Sequence, residues 1–225
     1  MKITYYGEEC LYCDFENEIT EHNSLLIIQF SEIIKHNILN VTINCGLTAI
    51  LVLFDLSSSD PDCLIKQIQK LYTDNKLLLS DREKVIKRVP ICYDPEFGLD
   101  QQRISEFTGL SVDELIQHHQ QTEFFVYCYG GWPAAPRLGQ TKVIAPGKLP
   151  IPRASSQPGL IGWCGQLNNW NPNRGIGGGW NLIGRSPLRI LNDKKEQPFF
   201  FSPGDYIKFY PITKDEFFNF NQDCY

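Results

Sequence analysis

Apolar spacing in the first third of the chain alternates between the periods of helices and of strands. From Glu18 to Leu39 apolar residues recur every three or four positions, which predicts a helix with a broad buried face. Asn40–Cys45 and Thr48–Phe54 are β-branched and apolar, and they predict two adjacent strands. A second helix is predicted from Cys63 to about Tyr72, opened by Asp60-Pro61. With an N-terminal strand or hairpin, this order predicts a small α/β sandwich.

The pattern changes after Lys76–Lys87, a charged stretch that is expected to be a linker. Two short helices are predicted at Asp100–Phe107 and Ser111–His119, the second with a capping box. Short strands are predicted at Val89–Tyr93, Glu123–Tyr129, Leu188–Leu191, Phe199–Phe201 and Tyr206–Tyr210. Frequent Pro and Gly between these strands favour a barrel over long helices. We therefore predict an α+β protein with an α/β domain over residues 1–87 and a β-barrel domain over residues 88–225. An apolar C-terminal tail, Phe217–Phe220, is expected to pack on the barrel.

One run, Gly159 to Pro187, differs from all others in composition. It holds eight of the seventeen glycines and three of the four tryptophans. Glycine disfavours a helix but permits tight turns and close backbone approach, and tryptophan covers the surface that glycine leaves bare. The run is therefore predicted to form short strands and turns along the wall of a cleft.

Polar side chains in and near this run are candidates for holding a small carboxylate or amide. They are Arg153, Gln166, Asn168, Asn169, Asn171 and Arg185, with Trp170 and Trp180 as aromatic walls. For any one of them a structural role is equally open: Arg185 as the tie of a turn, and the tryptophans as core.

Charge and hydropathy exclude several classes of partner. The chain of 225 residues carries a formal net charge of −5 at pH 7, which argues against a nucleic-acid partner. Its apolar stretches are too short to span a membrane, and its first ten residues lack a signal-peptide pattern. A cytoplasmic protein is expected.

Neither the cysteines nor the glycines match a known cofactor motif. Eight cysteines are scattered, and the pair Cys10 and Cys13 lacks a second pair, so no metal site is predicted and two ordinary thiols are the favoured interpretation. Gly175–Trp180 has no Gly-Lys-Ser/Thr ending and no following helix, so no nucleotide site is predicted on this chain alone.

Five segments, in order along the chain, resemble the KipI/PxpB family, also known as allophanate hydrolase subunit 1 or the carboxyltransferase-domain subunit. They are VPICYDPEFG (89–98), TGLSVDELIQHH (108–119), FFVYCYG (124–130), GGWNLIGRSP (178–187) and SPGDYIKFYPI (202–212). The resemblance implies a small N-terminal α/β domain and a C-terminal cyclophilin-like β-barrel.

The resemblance also implies a function in a complex. Family members pair with a homologous cyclophilin-like subunit of the PxpC/KipA type and, with a third subunit, form a bacterial ATP-dependent 5-oxoprolinase. ATP and Mg would then bind to the complex and not to this chain alone. Trp132, Pro133 and Arg137 are expected at the interface with the partner. One family member instead inhibits a sensor histidine kinase, and that alternative stays open.

The departures from the family concern the cleft. The family pattern G-F-x-P-G-F-P-Y-L-G is GGWPAAPRLG here (130–139), so both Phe positions and the Tyr are changed. Its G-Q-T-G-I-Y-P is GQLNNWN (165–171). The motifs typical of the fold are kept while those of the cleft differ, which leaves the substrate open.

Overall fold

The computed structural model describes residues 1–75, 84–130, 134–171 and 177–221. Two compact units divide the chain, Met1–Glu83 and Lys84–Tyr225. Each unit has its own sheet, and among the described residues the first unit has one buried apolar cluster and the second has two. The protein is therefore α+β, as predicted. Residues 76–83 of the predicted linker, Lys76–Lys87, lie outside the described residues.

The first unit is a four-stranded antiparallel sheet with two helices. Its elements are β1 (Lys2–Tyr5), β2 (Cys10–Asp14), α1 (Glu21–Asn37), β3 (Val41–Cys45), β4 (Ala49–Phe54) and α2 (Pro61–Asp74), and the strand order is β1-β2-β4-β3. Leu11 of β2 lies opposite Val52 of β4, and both belong to one buried cluster with Phe30 and Ile34 of α1. Thr20 caps α1 and Asp60 caps α2 through their side-chain oxygens. The helices thus bury their apolar faces against the sheet.

The second unit is built on a seven-stranded sheet. Its elements are β5 (Ile86–Ile91), α3 (Gln101–Thr108), α4 (Val112–Gln121), β6 (Glu123–Tyr129), β7 (Pro136–Gly139), β8 (Leu160–Cys164), β9 (Leu167–Trp170), β10 (Asn181–Arg185), β11 (Tyr206–Pro211) and α5 (Lys214–Phe218). The strand order is β10-β8-β9-β7-β6-β11-β5. All neighbours are antiparallel except β11 and β5, which are parallel.

This sheet curls until its two edges meet at one end. Just beyond β5, Cys92 exchanges two backbone hydrogen bonds with Arg185 of β10, with N···O distances of 2.8 and 2.9 Å. The core of the unit contains large buried aromatic side chains, among them Phe124, Trp163, Trp170 and Phe209. The sheet is thus a curled half-barrel, and the Cys92–Arg185 bridge joins its two edges at one end.

Two predicted strands do not form. The segments Leu188–Leu191 and Phe199–Phe201 instead form an isolated bridge with each other, between Leu191 and Phe199. Two backbone hydrogen bonds flank it, from the Phe200 N–H to the Ile190 carbonyl at 3.0 Å and from the Asn192 N–H to the Pro198 carbonyl at 2.8 Å. Leu188, Ile190 and Phe201 are nevertheless buried in the core. Their apolar pattern therefore reflects a short irregular hairpin that packs on the core without joining the seven-stranded sheet. The predicted apolar tail begins as the short helix α5, in which Phe217 is buried.

Candidate functional site

A cavity of about 200 Å³ opens beside the glycine-rich run of the second unit. Its walls come from β7, β9, the start of β10, the residues just before it, and the long connection between β7 and β8. The lining residues are Ala135, Arg137, Lys148, Arg153, Ser156, Asn169, Asn171, Gly177, Gly178, Gly179, Trp180 and Leu182. Four of the predicted cleft residues, Arg153, Asn169, Asn171 and Trp180, therefore meet here.

Backbone pairing holds the glycine wall against the connection between β7 and β8. Arg153 and Gly178 exchange two hydrogen bonds of 3.0 Å, and the Leu149 N–H donates to the Gly179 carbonyl at 2.7 Å. A Cβ atom on Gly177 would lie 2.4 Å from the Arg153 carbonyl oxygen, so only glycine allows this approach. The glycines are thus required for a close contact between two backbone segments, which forms one wall of the cavity.

Arg153 is fixed by a buried carboxylate. Its Nη2 donates to both carboxylate oxygens of Asp100, at 2.7 and 2.8 Å, and its Nη1 donates to the Trp180 carbonyl at 3.3 Å. Asp100 precedes α3, is 7% exposed, and also accepts the Leu182 N–H at 2.7 Å. This ion pair links α3 to the cavity wall and balances the charge of Arg153.

Arg137 and Lys148 differ from Arg153, because neither has a carboxylate partner among the described residues. The Arg137 guanidinium donates to Asn169 Oδ1 and lies 5.1 Å from the centre of the Trp180 ring. Lys148 Nζ is 5.9 Å from the same ring. Burial lowers the pKa of Arg137, since desolvation disfavours its charged form. Trp180 is therefore contacted by two cations at the cavity.

A row of neutral polar groups completes the lining. Asn169 Nδ2 donates to Asn171 Oδ1 at 3.3 Å, and Asn171 Nδ2 donates to Ser156 Oγ at 2.7 Å. Both asparagines are buried, at 5% and 8% exposure. Because Asn169 also accepts from Arg137, the row runs from the guanidinium to the hydroxyl. Such a row matches a ligand with an amide or hydroxyl group beside a charged group.

The remaining predicted site residues lie elsewhere. Trp170 is fully buried in the barrel core, and Asn168 is buried two positions before it on β9. Gln166 is exposed on the turn between β8 and β9. Arg185 donates from Nε to the Pro158 carbonyl at 2.8 Å and stacks on two phenylalanine rings. None of these four residues is among the described residues that line the cavity.

Among the residues expected at a partner interface, Arg137 lines the cavity, and Trp132 and Pro133 lie outside the described residues. Sequence reasoning missed Lys148 and Ser156 as lining residues. A signal for the cations was present, since residues 124–192 contain no Asp or Glu. The cavity cations come from this acid-free stretch, and a count of charges along the chain would have found them.

Other candidate sites are not formed by the described residues. No group of three His, Cys, Asp or Glu side chains there is arranged to hold a metal ion. Cys10 and Cys13 lie on β2 three residues apart, so their side chains point to opposite faces of the sheet. In the same part of the chain, no helix is long and apolar enough to cross a membrane.

Comparison with known proteins gives consistent relatives. The family model "Carboxyltransferase domain, subdomain C and D" matches residues 1–201. A 5-oxoprolinase subunit of Bacillus subtilis is 32% identical over 139 residues, 61% of this chain and 58% of that protein. The equivalent 5-oxoprolinase subunit from Escherichia coli O157:H7 is 27% identical over 152 residues, 65% of this chain and 66% of that protein. The matches thus span about three fifths to two thirds of these relatives.

Solved structures share the fold. Urea carboxylase of Kluyveromyces lactis superposes with a TM-score of 0.82 at 16% identity, covering 98% of this chain and 22% of that chain. PH0987, a conserved uncharacterized protein from Pyrococcus horikoshii, superposes with a TM-score of 0.56 at 28% identity, covering 96% and 100% of the two chains. Because the family model matches most of the sequence, this chain belongs to the carboxyltransferase-domain family, subdomains C and D.

Proposed function

We propose that this chain is one subunit of an ATP-dependent 5-oxoprolinase-type complex, which hydrolyses a small cyclic amide. Its partners in the proposal are a homologous cyclophilin-like subunit of the PxpC/KipA type and a third oxoprolinase subunit. The names of its relatives, which are subunits of 5-oxoprolinases, support this assignment. The proposal includes a cytoplasmic location, because an ATP-dependent reaction requires cytoplasmic ATP.

The observation that carries the proposal is the chemistry of the cavity lining. It combines guanidinium and ammonium groups with amides, a hydroxyl and an indole. These groups bind and orient a small polar molecule, but they are poor proton donors and acceptors at neutral pH. We therefore assign substrate binding to this chain and expect the proton-transfer groups to come from the partner.

ATP and Mg are assigned to the complex and not to this chain. Gly177–Gly179 leads into the strand β10 instead of a helix, so the helix N-terminus that cradles phosphates in nucleotide loops does not follow this run. Calorimetric titration of the isolated chain with Mg-ATP is expected to give no heat of binding. A micromolar dissociation constant would contradict the assignment.

The second unit is proposed to be a cyclophilin-like barrel. Its curled sheet and the Cys92–Arg185 bridge support this finer description, as does the fold shared with urea carboxylase. The alternative function, inhibition of a sensor histidine kinase, is motivated by the altered cleft motifs and by aromatic residues expected to be exposed, Trp132 and the Phe217–Phe220 tail. Of these, Phe217 is buried and Phe220 packs on the barrel core, whereas Phe218 is 65% exposed. Trp132 lies outside the described residues. The names of the relatives, rather than the packing of this tail, favour the enzyme complex.

A cavity-filling substitution tests the proposal. A Cβ atom on Gly178 would meet no atom within 4 Å, so Gly178→Leu fits the backbone and places its side chain at the cavity. Gly147 has equal space but does not line the cavity, and Gly147→Leu is the matched control. The assay is 5-oxoproline-dependent phosphate release by the chain mixed with its two partner subunits.

Phosphate release is expected only when all subunits are present. It should fall at least tenfold with Gly178→Leu and stay unchanged with Gly147→Leu, at equal melting temperatures. Release by this chain alone, or an active complex containing Gly178→Leu, would contradict the proposal.

A further inference from the structure

The distribution of charge along the sequence is strongly uneven. Residues 124–192 contain no Asp or Glu, although the whole chain has a net charge of −5. The same stretch carries seven cations: Arg137, Lys142, Lys148, Arg153, Arg174, Arg185 and Arg189. Twelve described residues line the cavity, and none of them is acidic. Ala135 and Leu182 are aliphatic, and the other ten are polar, aromatic or glycine. The cavity is therefore lined by residues from a part of the chain that carries cations and no acidic residue.

The cations near the cavity differ in how their charge is balanced. Asp100 neutralises Arg153 through two short hydrogen bonds, and backbone and side-chain oxygens hold Arg185 outside the cavity. Arg137 has one hydrogen-bond acceptor among the described residues, the neutral amide oxygen of Asn169. Lys148 has neither an ion pair nor a hydrogen bond there. Two cations at one cavity thus remain without a counter-charge in the described part of the chain.

An uncompensated guanidinium in a partly buried site has an energetic consequence. Desolvation lowers the pKa of Arg137, but arginine remains charged at neutral pH in proteins. A charge that is withdrawn from water and not neutralised destabilises the site until an anion enters. A planar carboxylate is the best complement, because it accepts two parallel hydrogen bonds from one guanidinium.

We propose that the cavity is a binding site for a small carboxylate, with Arg137 as its anchor and Lys148 as a second, solvent-facing cation. The asparagine–serine row beside Arg137 then contacts a neutral amide or hydroxyl of the same ligand. Trp180, already flanked by both cations, forms the apolar wall against which the ligand body packs. A volume of about 200 Å³ accommodates one small ring or a short chain.

The inference rests on the proposed function only for the choice of 5-oxoproline as a probe, since the preference for an anion follows from the chain's own charges. Binding is measured calorimetrically on the isolated full chain at low ionic strength. The probes are 5-oxoproline and its neutral primary amide, which has the same ring without the negative charge. Arg137→Gln is the test variant, and Arg189→Gln, an exposed arginine from the same stretch, is the control.

The unsubstituted chain is expected to bind 5-oxoproline at least tenfold more tightly than the amide. Arg137→Gln should remove this preference, Arg137→Lys should restore part of it, and Arg189→Gln should retain it. Added salt should weaken binding of the acid more than binding of the amide. If Arg137→Gln lowers the melting temperature strongly, Lys148→Gln replaces it, and a three- to tenfold loss is expected because Lys148 is exposed.

Equal binding of acid and amide, unchanged binding by Arg137→Gln, or no binding of either probe would overturn the inference. These outcomes are separate from the fate of the proposed function. A complex that lacks oxoprolinase activity leaves a carboxylate site intact if the isolated chain discriminates between the probes. Conversely, the complex could be active while the isolated chain binds the acid and the amide equally. That result would support the proposed function and contradict the carboxylate site.

Discussion

His119 is fully buried in the second unit and hydrogen-bonded at both ring nitrogens. Its Nδ1 lies 2.7 Å from the Tyr93 hydroxyl and its Nε2 lies 3.2 Å from Asn168 Oδ1. Because the amide oxygen accepts, Nε2 carries the proton and Nδ1 accepts from the tyrosine. Burial lowers the pKa of His119 to about 3, against a smaller opposing effect of the Asn168 hydrogen bond. The imidazole is therefore a neutral structural group at physiological pH.

This histidine should make the protein acid-sensitive. The unfolded chain binds a proton near pH 6.5 and the folded chain only near pH 3. Between these values the unfolded state holds more protons, so the free energy of unfolding should fall by about 1.4 kcal/mol per pH unit from this group as the pH decreases. His119→Gln is expected to flatten that slope, although it lowers stability at pH 7. Exposed His118→Gln should not change it. Urea denaturation between pH 7 and 4 measures both slopes, and parallel curves for His119→Gln and the parent would contradict the prediction.

Arg185 illustrates a residue whose position argues for structure more than for binding. Its guanidinium donates to Pro158 and Gln157 and lies 5.3 and 5.0 Å from the ring centres of Phe97 and Phe217. Arg185→Gln is expected to cost about 1–3 kcal/mol of stability through lost hydrogen bonds and cation–π contacts. Binding of 5-oxoproline should stay within twofold. Thermal melting and calorimetry on the same samples measure the two effects, and a tenfold loss of binding at an unchanged melting temperature would return Arg185 to the site.

At the scale of elements, the glycine-rich wall depends on backbone contacts that no other residue permits. Gly159 has φ +84° and lies where a Cβ atom would be 2.3 Å from the Ser186 carbonyl oxygen. Gly165 also has positive φ, at +58°, but a Cβ atom there meets nothing within 4 Å. Gly165→Ala should therefore cost only the backbone strain of roughly 1 kcal/mol, and Gly159→Ala about 3 kcal/mol or more. Chemical denaturation of the pair measures the difference, and equal costs would mean that the contact to Ser186 relaxes freely.

The same elements explain what the sequence predicted and what it did not. Glu123–Tyr129 is rich in aromatic residues and lies between a helix end and a glycine, and the structure has a strand with those bounds. Leu188–Leu191 packs on the core and bridges to Phe199 without joining the sheet, and a local apolar pattern does not distinguish this arrangement from a sheet strand. Local patterns therefore predicted strands correctly where turn residues bounded them. They were wrong where an apolar segment packs on the core without becoming a strand of the sheet.

The site was predictable as a region but not as a set of contacts. Part of the run Gly159–Pro187, including Gly177–Gly179 and Trp180, lines the cavity, whereas Trp163 and Trp170 of the same run are core. Arg137 reaches the cavity because β7 pairs with β9 in the register that sets it opposite Asn169, a pairing across 32 residues. Such long-range register depends on the whole sheet, so no local pattern placed Arg137 at the cavity, and the family resemblance gave it only as an interface residue. Trp170, a candidate for the cleft or for the core, is core.

At the scale of the whole molecule, the described residues form three buried hydrophobic clusters, and each lies within one of the two units. One cluster, which includes Leu11, Phe30 and Ile68, lies wholly within Met1–Glu83. A larger one, which includes Phe124, Trp163 and Phe209, lies wholly within Lys84–Tyr225. A core that closes within one segment allows that segment to fold without the other. The division therefore predicts two units that survive separation.

Limited proteolysis tests this division. Trypsin sites at Lys76, Arg82, Lys84, Lys87 and Arg88 surround the boundary between the units. Cleavage is expected first between Lys76 and Lys84, because β5 begins at Ile86 and pairs along its length with β11, which protects Arg88. Two fragments should persist, and each should retain a cooperative thermal transition.

In the double variant Lys76→Gln/Arg82→Gln, cleavage in this stretch should shift to Lys84 and slow, since Lys84 forms an ion pair with Glu123. First cuts within α1 or β6, or rapid loss of either fragment after cleavage, would mean that the two cores stabilise each other and that the chain folds as one body.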